Sequence, residues 1–448
     1  MPLGQSFRAS VLALALATAL YASAHPSGGS IVVSNCADAG QGSLRAAIAT
    51  APEASHIDLS QLACSTITLT SGAITINQQY LYLDGPGASA LTIDGSSRDR
   101  IFNEYQFGAG YLDIERLSLA HGASAGDGGC LRSGGYVRLV QSAVHDCSAH
   151  TYVSNARGGA IYAYSVGLDH SNVTGSMADS EQADALGGGI YTRVLRASGS
   201  VIADNSAVSQ AAHGSGGGAY ITRELDLIES TVSGNRADVS GGILINGYGG
   251  TGSSTIGNST ISGNVAADYT GGLATNSYLA MRNSTVAFNC ASTTPFGTTY
   301  HIGVGLNFRF TPPNLLSTII ANNDLCVARG SDAMPQDQLY DLGGQAFTGS
   351  ITGANDLVMI AAVTLPPDTI DADPQLLPLR DNGGPTPTHA LSDSSPAVDT
   401  GNDADGFFTY DQRGPGFPRT SGANTDIGAF ELDIVDEIIF ASSFEPSG

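Results

Sequence analysis

Clustered acidic side chains are the first residues of this sequence whose type and spacing could do chemistry. Asp179, Glu181 and Asp184 lie close together in the chain. Neighbouring carboxylates can bind calcium, or can share a proton when their charges are forced together. A solvated acidic loop is the alternative, and the residues alone leave both interpretations open.

A second acidic group lies near the C-terminus, at Asp399, Asp403, Asp405 and Asp411. The string Asp403-x-Asp405-Gly406 resembles part of an EF-hand loop, but the remaining ligands do not fall at the twelve-residue spacing of that loop. A solvated loop is therefore the favoured interpretation here. We identify no cofactor, with calcium as the one alternative.

Catalytic motifs are sparse. Leu168-Asp169-His170 resembles the Ile-Asp-His string of calcium-dependent pectate lyases, but it occupies the same place in an internal repeat as Leu227-Ile228-Glu229. Asp-Asp, Gly-His-Gly and Arg-Ile-Lys, which polygalacturonase-type hydrolases use together, are absent. No Ser-His-Asp order or phosphate-binding glycine loop is present. The sequence thus indicates no catalytic residue.

The charge balance limits the partners that the protein can bind. Acidic residues number 41 against 18 basic ones, all of them Arg, which gives a formal net charge of −23. Such a surface repels phosphate backbones and anionic lipids, so nucleic acid is not an expected partner. A polyanionic ligand would need a bridging cation or a local arginine cluster, and neither is obvious from the spacing.

The first 24 residues predict export. They contain one positive charge at Arg8, an apolar run from Val11 to Leu20 and the small residues Ala22-Ser23-Ala24, which is the pattern of a cleaved signal peptide. The apolar run is too short for a permanent anchor, and no later segment is apolar enough to cross a membrane. We therefore expect a secreted or cell-surface protein without an integral membrane span.

Export makes disulfides the favoured state of the six cysteines, because no Cys-x-x-Cys pair suggests a metal site. Sequence order suggests the pairs Cys36–Cys64, Cys130–Cys147 and Cys290–Cys326. Six cysteines allow about 15 connectivities, so proximity in the chain is the sole argument for this pairing.

A short block recurs through the middle of the chain and predicts the fold. Its copies begin at Ser142, Ser171, Ser200, Ser230, Ser259, Ser284 and Ser317, and a glycine doublet precedes the first six. A period of this length indicates a solenoid or a propeller, and each period is too short for the four strands of a propeller blade. Short alternating apolar runs favour strands. The prediction is an all-β, right-handed parallel β-helix.

Each block ends in asparagine, which tolerates left-handed backbone angles and can stack on the asparagine of the next coil. The predicted ladder consists of Asn205, Asn235, Asn264, Asn289 and Asn322. Two Asn-Ser-Thr sequons, at Asn258 and Asn283, fall inside the same blocks. We interpret them as part of the repeat rather than as glycosylation sites.

The number of residues between each block and the next glycine doublet varies from coil to coil, whereas the number between a doublet and the block that follows it is nearly constant. Variable loops of a solenoid map to one flank, often the binding flank. The predicted ligand-binding flank comprises residues 148–157, 177–187, 206–216 and 290–302, and includes the polar residues Asp179, Glu181, Asp184, His150, His213 and His301. Drift in unconstrained loops is the alternative.

The ends of a β-helix need covers, since they expose strand edges. Ser43 is placed to cap a short helix over Leu44–Ile48. The strings GQGSLRAAI, TITLTSGAITI and DGPGASALTIDG, the repeats, and NGGPTPTHAL, SPAVDTG, DQRG and DIGAFEL together resemble secreted bacterial β-helix proteins with a choice-of-anchor Q C-terminal region. The repeats also resemble those of chlamydial polymorphic outer membrane proteins.

This resemblance implies a division of the chain into a signal peptide (1–24), a β-helix with an N-terminal cap (25–330), an irregular choice-of-anchor Q-like region (331–432) and a tail (433–448). The tail is either a sorting signal or a frayed strand. The resemblance also implies an adhesin-like binding protein whose partner is an unknown surface component, such as a carbohydrate. The alternative is a carbohydrate-active enzyme that acts from the variable flank. A groove holding an arginine near two or more carboxylates would favour the enzyme.

Overall fold

The computed structural model of the protein describes residues 28–105, 108, 110–247, 252–292, 303–326, 340–344, 350–403 and 406–433. The predicted signal peptide, His301, Asp405 and residues 434–448 of the tail lie outside these ranges. The described residues form one helix, α1 (Leu44–Thr50), and 41 strands, β1–β41.

A single coil shows why the repeat folds as it does. The coil runs through β16 (Ile161–Asp169), β17 (Asn172–Thr174), β18 (Met177–Ser180) and β19 (Ala185–Leu186). Alternate residues such as Val173 and Ala178 are fully buried and form the interior, as the pleat of a strand requires. Between the strands the chain turns at residues with positive φ, and similar corners recur in successive coils.

Four parallel sheets result from stacking these coils, and we call them sheets A to D. Sheet A contains β1 (Ser30–Val32), β2 (Ser55–Asp58), β4 (Ile74–Ile76), β5 (Tyr80–Asp84), β7 (Phe102–Glu104), β8 (Tyr111–Glu115), β11 (Leu131–Ser133), β12 (Tyr136–Val140), β16, β20 (Ile190–Ser198), β24 (Ala219–Ile228), β27 (Ile243–Ile245), β28 (Ser253–Gly257), β31 (Leu273–Thr275), β32 (Tyr278–Arg282), β35 (Gly303–Phe308), β36 (Asn314–Leu316), β39 (Tyr340–Gly344) and β40 (Thr352–Ala354).

Sheet B contains the strands of the repeated block: β3 (Thr66–Thr68), β6 (Thr92–Asp94), β9 (Ser118–Ala120), β13 (Ala143–His145), β17, β21 (Val201–Ala203), β25 (Thr231–Ser233), β29 (Thr260–Ser262), β33 (Thr285–Ala287), β37 (Ile319–Ala321) and β41 (Leu357–Val358). Sheet C contains β10 (Ala123–Ser124), β14 (Ser148–Thr151), β18, β22 (Ser206–Ser209), β26 (Arg236–Ala237), β30 (Val265–Ala266), β34 (Cys290–Ala291) and β38 (Asp324–Leu325). Sheet D contains β15 (Ala156–Arg157), β19 and β23 (Gly214–Ser215). The predicted all-β parallel β-helix is confirmed.

The asparagine ladder is confirmed for its first four members and wrong for the fifth. Asn205, Asn235 and Asn264 each donate a side-chain hydrogen bond to the asparagine of the next coil, at 2.9–3.0 Å. Asn289 instead donates to Asn323. Aligning the blocks at Ser284 and Ser317 would pair Thr285 with Thr318. The structure pairs Thr285 with Ile319, so this coil is one residue longer and the ladder position moves to Asn323.

The reason given for asparagine in this position also needs correction. The left-handed corner is the residue just before each ladder asparagine, such as Gly234 with a φ of 66° and Asn322 with a φ of 58°. The ladder asparagines are conserved through the repeat because they pair with one another in the interior, and each of them also donates to a carbonyl of the preceding coil.

A second ladder, which the sequence analysis missed, follows the serine that opens each block. The backbone N–H of Ser171 donates to the Ser200 hydroxyl of the next coil, and the same bond repeats between Ser200 and Ser230. Both ladders end at buried carboxyls, since Asn323 donates to Asp341 and the Thr318 N–H donates to Asp356.

Both predicted local features of the N-terminal part are present. The Ser43 hydroxyl accepts the Ala46 N–H at the start of α1, and Leu44, Ala47 and Ile48 of this helix are buried in the main core. All three predicted disulfides, Cys36–Cys64, Cys130–Cys147 and Cys290–Cys326, are formed.

The C-terminal segment, residues 365–433, contains no strand in its described part and runs back along the outer face of sheet B. Its partners there are hydroxyls of the repeated block. Thr231 donates to the Pro387 carbonyl at 2.7 Å, and Thr260 donates to Gln412 at 2.6 Å. Thr285 accepts the Ala429 N–H at 3.1 Å. The C-terminal segment thus covers part of sheet B.

Candidate functional site

Outward-facing side chains of the first half of sheet A form a column along the β-helix axis. Arg132 in β11 is in register with Tyr162 in β16, which pairs in turn with Tyr191 and Tyr220 in the next two coils. The three tyrosine rings stack with centroids 5.4 Å apart. The column exists because residues at alternate positions of each strand face inward, which leaves one side chain per coil on this line.

Three arginines converge beside the start of this column, around a groove of about 520 Å³. Arg100, Arg132 and Arg157 line it together with Asp127, and Ala125, Gly126, Ser154 and Asn155 complete the wall. We call this site the arginine groove. Its residues come from three successive coils, so the groove crosses the strand direction.

Arg157 is held in place and largely neutralised by Asp127. Its Nε and Nη2 each donate to one carboxylate oxygen of Asp127 at 2.8 Å, which is the bidentate geometry that favours this pair. Burial alone would lower the pKa of Arg157, but the hydrogen bonds and charge of Asp127 outweigh it and raise that pKa.

The other two arginines make no ion pair with any described carboxylate. Arg100 donates to the Asp127 carbonyl at 3.0 Å, and its buried Nε has no hydrogen-bond partner among the described residues. Burial, followed by the positive charge of Arg132, lowers the pKa of Arg100. The charges of Asp99 and Asp127 oppose this lowering. Among the residues that line the groove, three guanidinium groups face one carboxylate, although the whole chain carries −23.

Exposed aromatic side chains with stacked arginines extend this surface. Arg132 lies 6.0 Å from the ring centre of Tyr105, whose side chain is largely exposed. Two coils beyond Arg132, the exposed Arg193 lies 5.5 Å from the ring centre of Tyr164. Arg193 makes no ion pair in the described part of the chain. Cation–π contacts of this kind hold guanidinium groups without neutralising them.

The predicted acidic loop is partly assembled. His150 Nδ1 lies 2.8 Å from Asp179 Oδ2, and His150 Nε2 lies 3.9 Å from Glu181 Oε1. Asp184 is separate from this pair, because its Oδ1 accepts the backbone N–H of the exposed residue His213 at 3.4 Å. Across the described residues, no group of three or more His, Cys, Asp or Glu side chains is arranged to hold a metal ion.

The first three loops of the predicted flank share one local structure, whereas residues 293–302 of the fourth loop lie outside the described ranges. Thr151, Ser180 and Ser209 occupy equivalent positions, and each hydroxyl accepts an N–H three residues later. A small core of buried alanines, among them Ala178 and Ala207, lies beneath them. Much of the flank is therefore a second packed layer. Residues 148–157 also contribute Ser154, Asn155 and Arg157 to the arginine groove.

Two described members of the second acidic group, Asp399 and Asp411, have different partners. Asp411 is fully buried and pairs with Arg413 at 2.7 Å, whereas Asp399 accepts the Asn424 N–H. The sequence analysis missed the string Asn424-Thr425-Asp426, which matches the Asn-Thr-Asp motif of polygalacturonase-type hydrolases and lies in the C-terminal segment. There Asp426 accepts the Leu432 and Asp399 N–H groups, so it has a structural role.

Asp169 and His170 lie at a corner, where His170 has a φ of 48° and its Nδ1 is 2.7 Å from Asp169. Glu229, Asn258 and Asn283 occupy equivalent corners of other coils. This placement agrees with the interpretation of the string as an ordinary repeat position. Both sequon asparagines, Asn258 and Asn283, are fully buried, which agrees with the same interpretation.

Arg138 has the arrangement that would favour an enzyme. It lies 3.0 Å from Asp113, 3.4 Å from Glu115 and 3.6 Å from Asp169. Burial raises the pKa of Asp113, although the charge and hydrogen bond of Arg138 oppose the rise. Asp113 Oδ1 is buried and has no hydrogen-bond partner among the described residues. In contrast to the arginine groove, this site has an excess of negative charge.

Sequence reasoning missed the arginine groove because its residues come from different coils. A signal was present, since Tyr162, Tyr191 and Tyr220 recur 29 residues apart, each shortly after a glycine doublet. Placing every residue by its position within the period would have put Arg132 in the tyrosine column. Arg100 and Arg157 lie outside the paired strands of sheet A, and the repeat period alone does not predict that their side chains lie beside Arg132.

No known protein family matches the sequence of this chain, and no curated protein matches it. Among solved structures, a crystal structure of pectate lyase Pel9A is similar, with 13% sequence identity and a TM-score of 0.41. The match covers 92% of this chain and 98% of that chain. Similarity at this level does not extend to activity. No helix in the described residues is long and apolar enough to span a membrane.

Proposed function

We propose that the protein is an exported β-helix that binds an acidic polysaccharide in the arginine groove. The observation that carries this proposal is the pair Arg100 and Arg132, two guanidinium groups without carboxylate partners in a protein of net charge −23. Like charges held together, one of them with an unsatisfied buried donor, cost stability unless a ligand uses them.

The chemistry of the groove favours carboxylate or sulfate groups on sugars. Guanidinium groups bind planar and tetrahedral oxyanions through paired N–H donors. The neighbouring tyrosines add hydroxyl groups and exposed ring surface, which suit a hydroxylated ligand with one apolar side. Nucleic acid is disfavoured because the rest of the surface would repel its continuous phosphate backbone.

Export and surface display form part of the proposal. The N-terminal pattern at residues 1–24 supports export, and three disulfides are consistent with an oxidising compartment. The resemblance to choice-of-anchor Q proteins and to chlamydial outer membrane proteins supports an adhesin-like role at the cell surface.

The proposal is tested by titrating the purified protein with uronic-acid oligosaccharides and with neutral oligosaccharides of equal length. Replacing Arg132 with Gln should weaken binding of the acidic ligands about tenfold or more, since a charged hydrogen bond is lost. Arg236→Gln removes an exposed arginine from sheet C and serves as the matched control. Equal binding by Arg132→Gln and the unaltered protein would contradict the proposal, as would preference for the neutral ligands.

A second candidate function, cleavage of such a polysaccharide, has the Arg138 site in its favour. Burial raises the pKa of Asp113, which is the direction that a general acid needs, and Glu115 and Asp169 supply further carboxylates on the same arginine. The test is the release of new reducing ends from acidic oligosaccharides, which Asp113→Asn should abolish without changing binding. The exposed Asp393→Asn variant is the control for charge. No release by the unaltered protein would remove this candidate.

A further inference from the structure

Positive charge on the outer face of sheet A recurs at alternate coils rather than at every coil. The first site is the arginine groove, where Arg100 and Arg132 have no carboxylate partner among the described residues. The second is Arg193, two coils further along the axis. The coil between them presents Tyr162 and Tyr164 on the same face.

The coil beyond Arg193 does not continue the pattern of free charge. Its arginine, Arg223, is paired with the neighbouring Glu224 at 3.0 Å. Between the coils of Arg132 and Arg223, the two cationic sites are therefore separated by two coil spacings, or about 10 Å along the axis.

The geometry points to a ligand in which acidic units alternate with neutral units, and this inference rests on the proposed function. One pyranose unit of an extended chain is close in length to one coil spacing. A chain crossing this face obliquely would place one acidic unit at Arg132, a neutral unit over Tyr162 and Tyr164, and the next acidic unit at Arg193. Arg193 lies opposite Tyr164, two residues along the strand from the tyrosine column.

A chain with an acid on every unit fits this surface less well. Its middle carboxylate would face Tyr162 and Tyr164. The cations nearest Tyr162 are Arg132, at 5.9 Å from its ring centre, and Arg157, at 5.0 Å. Arg132 would already bind the first acidic unit. Asp127 lies close by and already occupies Arg157. A carboxylate that loses water without gaining a cation costs free energy, so each such unit weakens binding.

The experiment compares three hexasaccharides, namely an alternating uronate and N-acetylhexosamine chain, a homo-oligouronate and a neutral chain, together with the alternating disaccharide. The alternating hexasaccharide should bind about tenfold tighter than the disaccharide, since it engages a second charged site. Arg193→Gln should remove this gain and leave disaccharide binding unchanged. Arg236→Gln again serves as the control.

The outcomes distinguish binding of an acidic ligand in the arginine groove from a preference for alternating ligands. If Arg132→Gln does not weaken binding of any acidic ligand, the proposed function itself fails. If Arg132→Gln weakens binding but Arg193→Gln leaves the alternating hexasaccharide unaffected, the function stands and the alternation is wrong. Tighter binding of the homo-oligouronate than of the alternating chain would likewise overturn the alternation.

Discussion

Replacement of Asp341 by Asn should stabilise the protein at neutral pH, because Asp341 ends the asparagine ladder with a buried carboxyl. The side chain is almost completely buried, and its Oδ1 accepts hydrogen bonds from the backbone and side chain of Asn323 at 2.8 and 2.9 Å. Burial raises the pKa of Asp341 from 3.8 to about 6, although these hydrogen bonds oppose the rise. An asparagine keeps the oxygen that accepts from Asn323 and has no charge. It loses only the backbone hydrogen bond from Ile360 to the carboxylate, which is smaller than the effect of removing the buried charge.

The sign of the pH dependence follows from this raised pKa. Between pH 4 and pH 6 the folded protein binds a proton at Asp341 that the unfolded chain has already released. The contribution of this bound proton to the stability of the fold is therefore present at pH 4 and is lost as the pH rises through 6. The difference between 3.8 and about 6 corresponds to about 3 kcal/mol at most.

Thermal unfolding followed by circular dichroism from pH 4 to pH 8 measures the effect. The unaltered protein should lose stability relative to Asp341→Asn as the pH rises, so the gap between the two melting curves should widen up to about pH 7. Asp393→Asn, which removes an exposed carboxyl, controls for net charge. A gap between Asp341→Asn and the unaltered protein that does not change with pH would refute the reasoning.

Three further changes test the packing. Asn235→Leu should lower the free energy of unfolding by about 2–4 kcal/mol, because it leaves buried hydrogen-bonding partners unpaired. The fold should survive, since each coil contacts only its neighbours. Denaturant unfolding measures the change. Thr260→Val removes the hydrogen bond to Gln412 and should speed proteolytic cleavage of the C-terminal segment, with cleavage unchanged if that contact is unimportant. Replacing Cys130 and Cys147 with Ser should lower the unfolding free energy by about 3 kcal/mol, and an unchanged midpoint would show that this closed loop adds nothing.

The sequence predicted the β-helix well because its determinants are local and periodic. The block containing Asn235, the cap at Ser43 and the nearest-neighbour disulfides all depend on residues within about one period. The ladder failed at Asn322 for a related reason. A block alignment assumes equal spacing, whereas Thr285 pairs with Ile319 and shifts the ladder by one residue to Asn323.

The path of the C-terminal segment could not be predicted, because its contacts join residues more than a hundred positions apart. Gln412 reaches Thr260, and Ala429 reaches Thr285. In retrospect, threonine follows the block serine in the coils of Thr231, Thr260 and Thr285, whereas earlier coils have Asn172 and Val201 there. The threonines mark the coils that the segment covers, but nothing local to a block reveals this role.

The proposed site differs in part from the predicted flank for an electrostatic reason. Exposed polar loops predict a binding flank, but Asp184 makes a contact within these loops, where it accepts the His213 N–H. The arginine groove is instead defined by charges that have no partner. Such a surplus can be recognised only after the positions of Asp127 and of the three arginines around it are known.

A crystal structure of the protein with a bound uronic-acid oligosaccharide tests the central claim most directly. The account predicts ligand density in the arginine groove, with an acidic group within hydrogen-bond distance of Arg100 and Arg132 and with the chain running past Tyr162. Density at the His150 and Asp179 loop, at Arg138 alone or on sheet C, with the groove empty, would contradict it.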